Sequence, residues 1–317
     1  MASVDRKAVI VGISGCSSSG KTTLARLLRD IFPNTFILHE DDFYKQDDQI
    51  PIGADGLADW DCAGAIALPD MEQALAYIRT KGASPVSRGS LSQRADHGTA
   101  RRKRRPVSRS SPSISAAASS ASPTATSIMN TTLTNTQQPN LFSKEDQNSV
   151  GKCPVPDETI EALKAKVKAW LEPGHAGHKL VAAQDAASAA LKICIFDGFL
   201  LYCEATRAAM DQIDVRLFLR VSHAKATQRR EARDGYVTLD GFWQDPPGYV
   251  DKIVWPNYVE AHKWLFTGGD VEGTPDKAVL DTNSILTQTD QGVDVDMATT
   301  LEWAVTTLMR ELEDKYL

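Results

Sequence analysis

The chain has 317 residues, is 42% hydrophobic and carries a formal net charge of −6. That length supplies an ample core for one or two domains, and the acidic balance excludes a general binder of nucleic acid or other polyanions. No apolar run approaches membrane-spanning length, the first residues lack a signal-peptide core, and the five cysteines form no C-x-x-C pair, so a soluble cytoplasmic protein is expected.

An apolar run from Ala8 to Ile13 predicts a buried strand. It leads into Gly15-Cys16-Ser17-Ser18-Ser19-Gly20-Lys21-Thr22, which fits G-x-x-x-x-G-K-[ST] at every position. Helical spacing follows, with Leu24, Leu27, Leu28 and Ile31 on one face. Small residues let successive backbone N–H groups turn inward around phosphate oxygens, and the new helix adds its positive end. Gly15, Ser17, Ser18, Ser19, Gly20 and Thr23 are therefore candidate phosphate contacts. Lys21 is placed to reach the β- and γ-phosphates, and Thr22 to offer a hydroxyl to Mg²⁺. Gly/Ser turns between strand and helix are common, but a full match in strand–loop–helix context indicates a nucleotide site.

Thr35 to His39 reads as a second strand, ending in Glu40-Asp41-Asp42-Phe43-Tyr44-Lys45. Acids at the carboxyl end of a parallel strand lie where α/β folds place their ligands. Asp59-Trp60-Asp61 follows in a polar loop, and Met71 to Lys81 reads as a helix closed by Gly82. Residues 83–156 then change character. Ser84 to Pro112 holds eight basic side chains against one acid, a local +7 that leaves the remainder at −13, and Ser113 to Asn140 has no charge at all. Such a stretch buries too little apolar area to offset its ordering entropy, so it is expected to be a disordered insertion within a single domain spanning 1–317. Its Arg101–Arg105 run has two readings, a solvated charge run or a nuclear-import signal. Helical patterning resumes at Asp157, with Ile160, Leu163, Val167 and Leu171.

Leu191 to Phe196 is another buried strand, finishing in Asp197-Gly198, where a carboxylate can assist Mg²⁺ directly or through water. Val215 to Val221 is the next strand, and Ser222 reads as the N-cap of a helix carrying Arg229, Arg230 and Arg233. Arg229 and Arg233, four apart, share a helix face in this reading. The Gly/Pro-rich residues after them suit a moving cover, so 222–248 is a candidate lid whose arginines stabilise charge on a transferring phosphoryl group. Tyr249 to Phe266 returns to helical spacing interrupted at Pro256, Lys277 to Leu280 is a candidate last strand, and Val295 to Tyr316 a closing amphipathic helix. The order predicts an α/β fold, a parallel sheet with helices on both faces. No N-K-x-D guanine signature is present, which argues against a switch GTPase.

These motifs add up to a resemblance. Gly12 to Ala25, Asp41-Asp42-Phe43-Tyr44-Lys45, Trp60-Asp61, Phe196-Asp197-Gly198-Phe199-Leu200-Leu201, Arg229-Arg230-Glu231-Ala232-Arg233, Pro247-Gly248-Tyr249 and Trp255-Pro256-Asn257-Tyr258 together resemble the fungal nicotinamide riboside kinases, among the uridine-kinase-like P-loop kinases. The phosphate loop is generic, whereas Asp41 to Lys45 and Tyr236 to Tyr249 are specific. The resemblance covers nearly all the chain outside the insertion. It implies ATP- and Mg²⁺-dependent phosphorylation of the ribose 5′-hydroxyl of nicotinamide riboside, and of nicotinic acid riboside, feeding NAD synthesis.

By the same resemblance Asp41 is the catalytic carboxylate, assisted by Lys21. Thr22, Asp41 and Asp197 are the metal-binding residues, although relatives often carry Glu where Asp197 stands. Asp61 and Arg230 are implied to grip the ribose, Asp42, Phe43 and Tyr44 to lie at the substrate, and Arg229 and Arg233 to hold ATP phosphates. Trp60 and Tyr236 fall where relatives stack aromatic rings on the nicotinamide, an arrangement suited to a flat pyridinium cation. Two competitors remain: a uridine kinase-like enzyme or other small-metabolite kinase, and a non-catalytic nucleotide-binding protein. The latter has no need of a carboxylate at the nucleophile.

Overall fold

The computed structural model of the protein describes residues 7–54, 56–84, 152–181, 191–233, 235–238 and 242–316. The expected insertion at 83–156 lies outside these residues except at its two ends, as do Arg101–Arg105. Chain order begins with β1 (Ala8–Gly15), α1 (Lys21–Ile31), β2 (Thr35–His39), α2 (Leu68–Lys81), α3 (Asp157–Trp170) and β3 (Lys192–Gly198). It continues with α4 (Arg207–Met210), β4 (Val215–Leu219), α5 (His223–Glu231), the short hairpin β5 (Tyr236–Val237) and β6 (Phe242–Trp243), and α6 (Trp255–His262). α7 (Lys277–Thr282), β7 (Ile285–Leu286) and α8 (Met297–Tyr316) complete it.

Five strands form one parallel sheet in the order β2-β3-β1-β4-β7. Alternation along the central strands divides the core into two layers. Ala8, Ile10, Cys194, Phe196 and Phe218 face one layer, with Met71, Leu75 and Ile78 of α2, Met210 of α4 and Tyr258 of α6. Val9, Val11, Ile13, Ile193, Ile195, Val215 and Leu217 face the other, covered by α1, α3 and α8 through Leu24, Leu28, Val167, Leu301, Leu308 and Leu312. Each fully buried leucine of this kind contributes about 1.5–3 kcal/mol of transfer free energy, which is why the helices are held on both faces. Among the described residues no helix is long and apolar enough to cross a membrane.

Three sequence expectations are corrected. Lys277–Thr282 is a helix, because the Asp276 side chain accepts from Val279 N (3.1 Å) and caps it; the edge strand is Ile285–Leu286 instead. Pro256 does not interrupt its segment. A π-helical turn at Val250–Val254 runs into α6, where Pro256 occupies the first turn and its missing N–H leaves no gap. α5 ends at Glu231, so Arg233 does not share a helix face with Arg229; it follows in a turn, its N–H bonded to Arg230 O at 3.1 Å. The Ser222 cap is as expected, its side chain accepting from Lys225 N at 3.1 Å.

Candidate active site

The carboxyl ends of β1, β2 and β3 converge on one cavity, the place where open parallel sheets hold ligands. It is lined by Ser17, Ser18, Lys21, Thr22, His39, Asp41, Tyr44, Trp60, Asp61, Asp197, Gly198, Phe199, Arg230, Arg233, Tyr236, Thr238 and Trp243. β1 delivers the phosphate loop. Gly15 has φ +146 and a Cβ there would run into the Leu219 carbonyl, so the turn requires glycine. The loop closes through the Cys16 carbonyl, which accepts from Ser19 N (3.1 Å) and from the Lys21 ammonium (2.9 Å). Burial lowers the pKa of that ammonium from its ordinary value, with the neighbouring acids opposing the shift. Ser18 Oγ and Ser19 Oγ are buried with no hydrogen-bond partner, and α1 begins with neither a side-chain cap nor an acid in its first turn. Buried donors without acceptors, beside an uncapped helix start, are what a bound phosphate would satisfy.

β2 and β3 run in register so that His39 lies opposite Asp197. The His39 Nδ1 to Asp197 Oδ1 distance is 2.5 Å, and Thr22 donates its hydroxyl proton to Asp197 Oδ2 at 2.7 Å. Burial alone would raise the Asp197 carboxyl, but His39, Thr22 and Lys21 outweigh it and hold it below the usual carboxylate range. A turn at Glu40–Phe43 carries the acids onward from β2. Asp41 reaches the cavity and Asp42 does not; Phe43 is not a lining residue either, because its ring is 4% exposed within the core layer under α2. Sequence reasoning passed over Glu40. It is fully buried, its Oε2 accepts from Phe199 N (2.7 Å) and Leu200 N (3.1 Å), and it fixes the turn after Asp197.

The opposite wall comes from the 58–61 loop, α5 and the β5–β6 hairpin. Arg230 uses all five of its N–H groups. Two go to Asp61 (2.8 and 3.0 Å), two to Asp245 (2.6 and 3.2 Å) and one to Ser17 Oγ (2.9 Å). Burial works against its charge, yet Asp61 and Asp245 hold its pKa well above the ordinary value. A ribose contact from Arg230 therefore requires exchanging one of these bonds. Arg229 lies outside the cavity lining, donating to Ser18 O at 3.2 Å, while Arg233 lines it with its guanidinium over the Tyr236 ring (5.3 Å).

Trp60 meets Tyr44 edge-on (5.4 Å, 76°) and Trp243 at a tilt (5.8 Å, 48°). Its backbone N–H donates to Tyr249 Oη at 3.0 Å, and that hydroxyl donates to Ala58 O at 2.8 Å. Asp59 is held by both Asn257 Nδ2 contacts (2.9 and 3.0 Å) and accepts from Asp61 N (3.1 Å). The Pro-Gly-Tyr and Trp-Pro-Asn-Tyr motifs thus position Trp60 and Asp61 from behind, a role that spacing in sequence does not reveal.

A phosphate loop at the end of the central strand, a carboxylate-bearing turn beside it and a cover lined with arginine and aromatic rings define a P-loop kinase of the α/β class. The chain is 30% identical over 309 residues to the nicotinamide riboside kinase of Schizosaccharomyces pombe, covering 97% of this chain and 99% of that one. The nicotinamide riboside kinases of Eremothecium gossypii and Saccharomyces cerevisiae are 28% and 26% identical over 268 and 272 residues, covering 84% and 86% of this chain and 81% and 84% of theirs. No family model matches. The chain belongs to the nicotinamide riboside kinase family.

Proposed function

We propose that the protein transfers the γ-phosphoryl group of ATP to the ribose 5′-hydroxyl of nicotinamide riboside, and of nicotinic acid riboside, yielding the mononucleotide for NAD synthesis. One observation carries this reading. A single cavity is lined both by the phosphate loop with Asp41 and by Trp60, Tyr236 and Trp243, so donor phosphate and an aromatic acceptor meet there. Asp61 and Asp245 pair with Arg230 beside the rings, so the guanidinium is matched there and does not stand as a free cation against the base. A flat pyridinium against those rings gains cation–π attraction of about 2 kcal/mol when it is desolvated, which a neutral base does not.

Phosphoryl transfer asks the protein for alignment and charge neutralisation. Ser17, Ser18, Ser19, Gly20 and Thr23 surround the phosphates with N–H and hydroxyl donors, and Lys21 neutralises the β- and γ-oxygens. Arg229 and Arg233 approach from the cover. Asp41 orients the 5′-hydroxyl, which attacks the γ-phosphorus; the bond to the β-phosphate oxygen breaks, ADP leaves, and Asp41 takes the hydroxyl proton late. Asp61 accepts from the ribose diol, with Arg230 holding its carboxylate in place. The residues also fit Mg²⁺. Thr22 donates a hydrogen bond to Asp197 and keeps its lone pairs for a cation, with Asp41 and Asp197 completing the protein's share. Among the described residues no cluster of three or more His, Cys, Asp or Glu could hold a metal, which suits an ion taking most of its ligands from phosphates and water. Bound there, it would neutralise charge on the transferring group.

The test is incubation of the purified protein with Mg²⁺-ATP and separate acceptors: both pyridine ribosides, uridine, pantothenate and gluconate. Mononucleotide and ADP with the pyridine ribosides are expected. Turnover with another acceptor in preference would reassign the substrate, and ADP release with none would make the chain a nucleotide-binding protein only.

A further inference from the structure

Trp243 is a cavity residue that neither the phosphate chemistry nor the ribose contacts use. It pairs with Tyr236 across the hairpin, and paired residues of antiparallel strands present their side chains to the same face. Tyr236 and Trp243 accordingly both line the cavity, whereas the next residue, Phe242, is 61% exposed on the outer face. The Trp243 and Trp60 ring centroids are 5.8 Å apart at 48°. Two faces gripping a third ring must stand about 7–8 Å apart, twice a van der Waals contact, so no ring fits between these indoles. Trp243 is instead an end wall, its ring packed edge-on against Tyr249 (5.7 Å, 61°). Its indole N–H donates to Asp245 Oδ1 at 2.9 Å, the same carboxylate that takes two bonds from Arg230.

We propose that Trp243 is a specificity-determining residue of this site: its ring closes the end of the aromatic slot against Trp60, and its N–H holds Asp245 on Arg230, linking base recognition to the Asp61–Arg230 sugar clamp. This rests on the riboside kinase reading. An aromatic cation seated in the slot presses on Trp243 and so on Asp245, which orients Arg230 and through it Asp61. A neutral base still touches the end wall but brings no cation–π attraction to it, and a smaller one makes less contact.

Two substitutions taken together separate the ring from the N–H: Trp243→Leu removes both, Trp243→Phe the N–H alone, so the ring is read from the difference between them. In Trp243→Leu the wall is lost while bulk remains, and kcat falls at least as far as in Trp243→Phe. KM for nicotinamide riboside is expected to rise about tenfold, as for a contact of this class, KM for ATP to stay within about twofold, and the preference for nicotinamide riboside over uridine to fall. In Trp243→Phe the ring remains and the N–H is lost. KM for the riboside then stays within about threefold, while kcat drops about tenfold because the clamp is held less well. Melting curves establish that each variant is folded, and should Trp243→Leu fail to fold, Trp243→Phe alone decides the link to Asp245. Wild-type turnover of the riboside with both variants unchanged in KM, kcat and base preference overturns the proposal and leaves the kinase reading standing. A wild-type protein that does not phosphorylate the riboside removes both.

Discussion

Tyr249→Phe is the substitution that most cleanly isolates how the riboside wall is held. The ring stays in place, 1% exposed and packed on Trp243, and a single oxygen is lost. That oxygen accepts from Trp60 N at 3.0 Å and donates to Ala58 O at 2.8 Å, and Trp60 itself is 7% exposed. Its removal orphans a buried amide and the Ala58 carbonyl. Each buried group left unmatched costs about 1–3 kcal/mol, so a total near 2 kcal/mol is expected after relaxation of the loop. Part of that appears as lost stability in urea titration, measured as a shift in midpoint without a change in slope. The rest appears as displacement of Trp60 and Asp61, raising KM for nicotinamide riboside about tenfold at about 1.4 kcal/mol per decade, with KM for ATP unchanged. Stability within about 0.5 kcal/mol of wild type together with an unaltered riboside KM would refute the role given to the hydroxyl.

Other expectations concern buried titratable groups. Burial raises the Glu40 carboxyl to about 7, against the pull of its two backbone donors. The stability that its neutral form contributes is complete below the ordinary carboxyl range and is lost as pH rises through 7. Glu40→Gln, which keeps an acceptor for Phe199 and Leu200, should therefore gain about 2–3 kcal/mol over wild type at pH 8 and almost nothing near pH 5; equal gains at both would contradict it. His262 is fully buried, its Nδ1–H donates to Tyr258 O at 2.9 Å and its Nε2 has no partner, and burial lowers its pKa to about 4. The unfolded chain binds the proton first, so the His262 contribution to stability falls by about 2 kcal/mol between pH 6.5 and 5, opposite in sign to that of Glu40 over the same range. His262→Phe removes this contribution, so the stability difference between variant and wild type in the same urea titrations should change by about 2 kcal/mol between those pH values, and a difference independent of pH would contradict it.

The phosphate loop, the four long strands and helices α1, α3 and α8 were legible because their signals are local: an unbroken apolar run, a motif of fixed spacing, or a helical face sustained over several turns. The Ala278-Val279-Leu280 run misled because three apolar residues fit either period; Asp276, three residues before Val279, was the available capping signal. Pro256 reads as a breaker unless the preceding segment is known to be helical already. The candidate site was legible where residues cluster in sequence, as at Gly15–Thr23 and Asp41–Lys45. It was not where contacts span the chain. Asp61 and Arg230 are 169 positions apart, and nothing in either neighbourhood shows that all five donors of Arg230 are engaged. Trp243, Asp245 and Tyr249 stood within a segment of specific character, but their bonds to Arg230 and the Trp60 loop exist only once the hairpin folds over the sheet.

The central claim is that Asp41 faces the primary alcohol of the sugar across from the bound triphosphate. Asp41→Asn preserves shape and removes the proton acceptor, so the most direct measurement is single-turnover phosphorylation of nicotinamide riboside alongside ATP binding by titration. The account predicts a rate lower by about 10³-fold, within the range of a lost general base, with ATP affinity within about threefold of wild type. Turnover within about tenfold of wild type would contradict it and take Asp41 out of the chemistry.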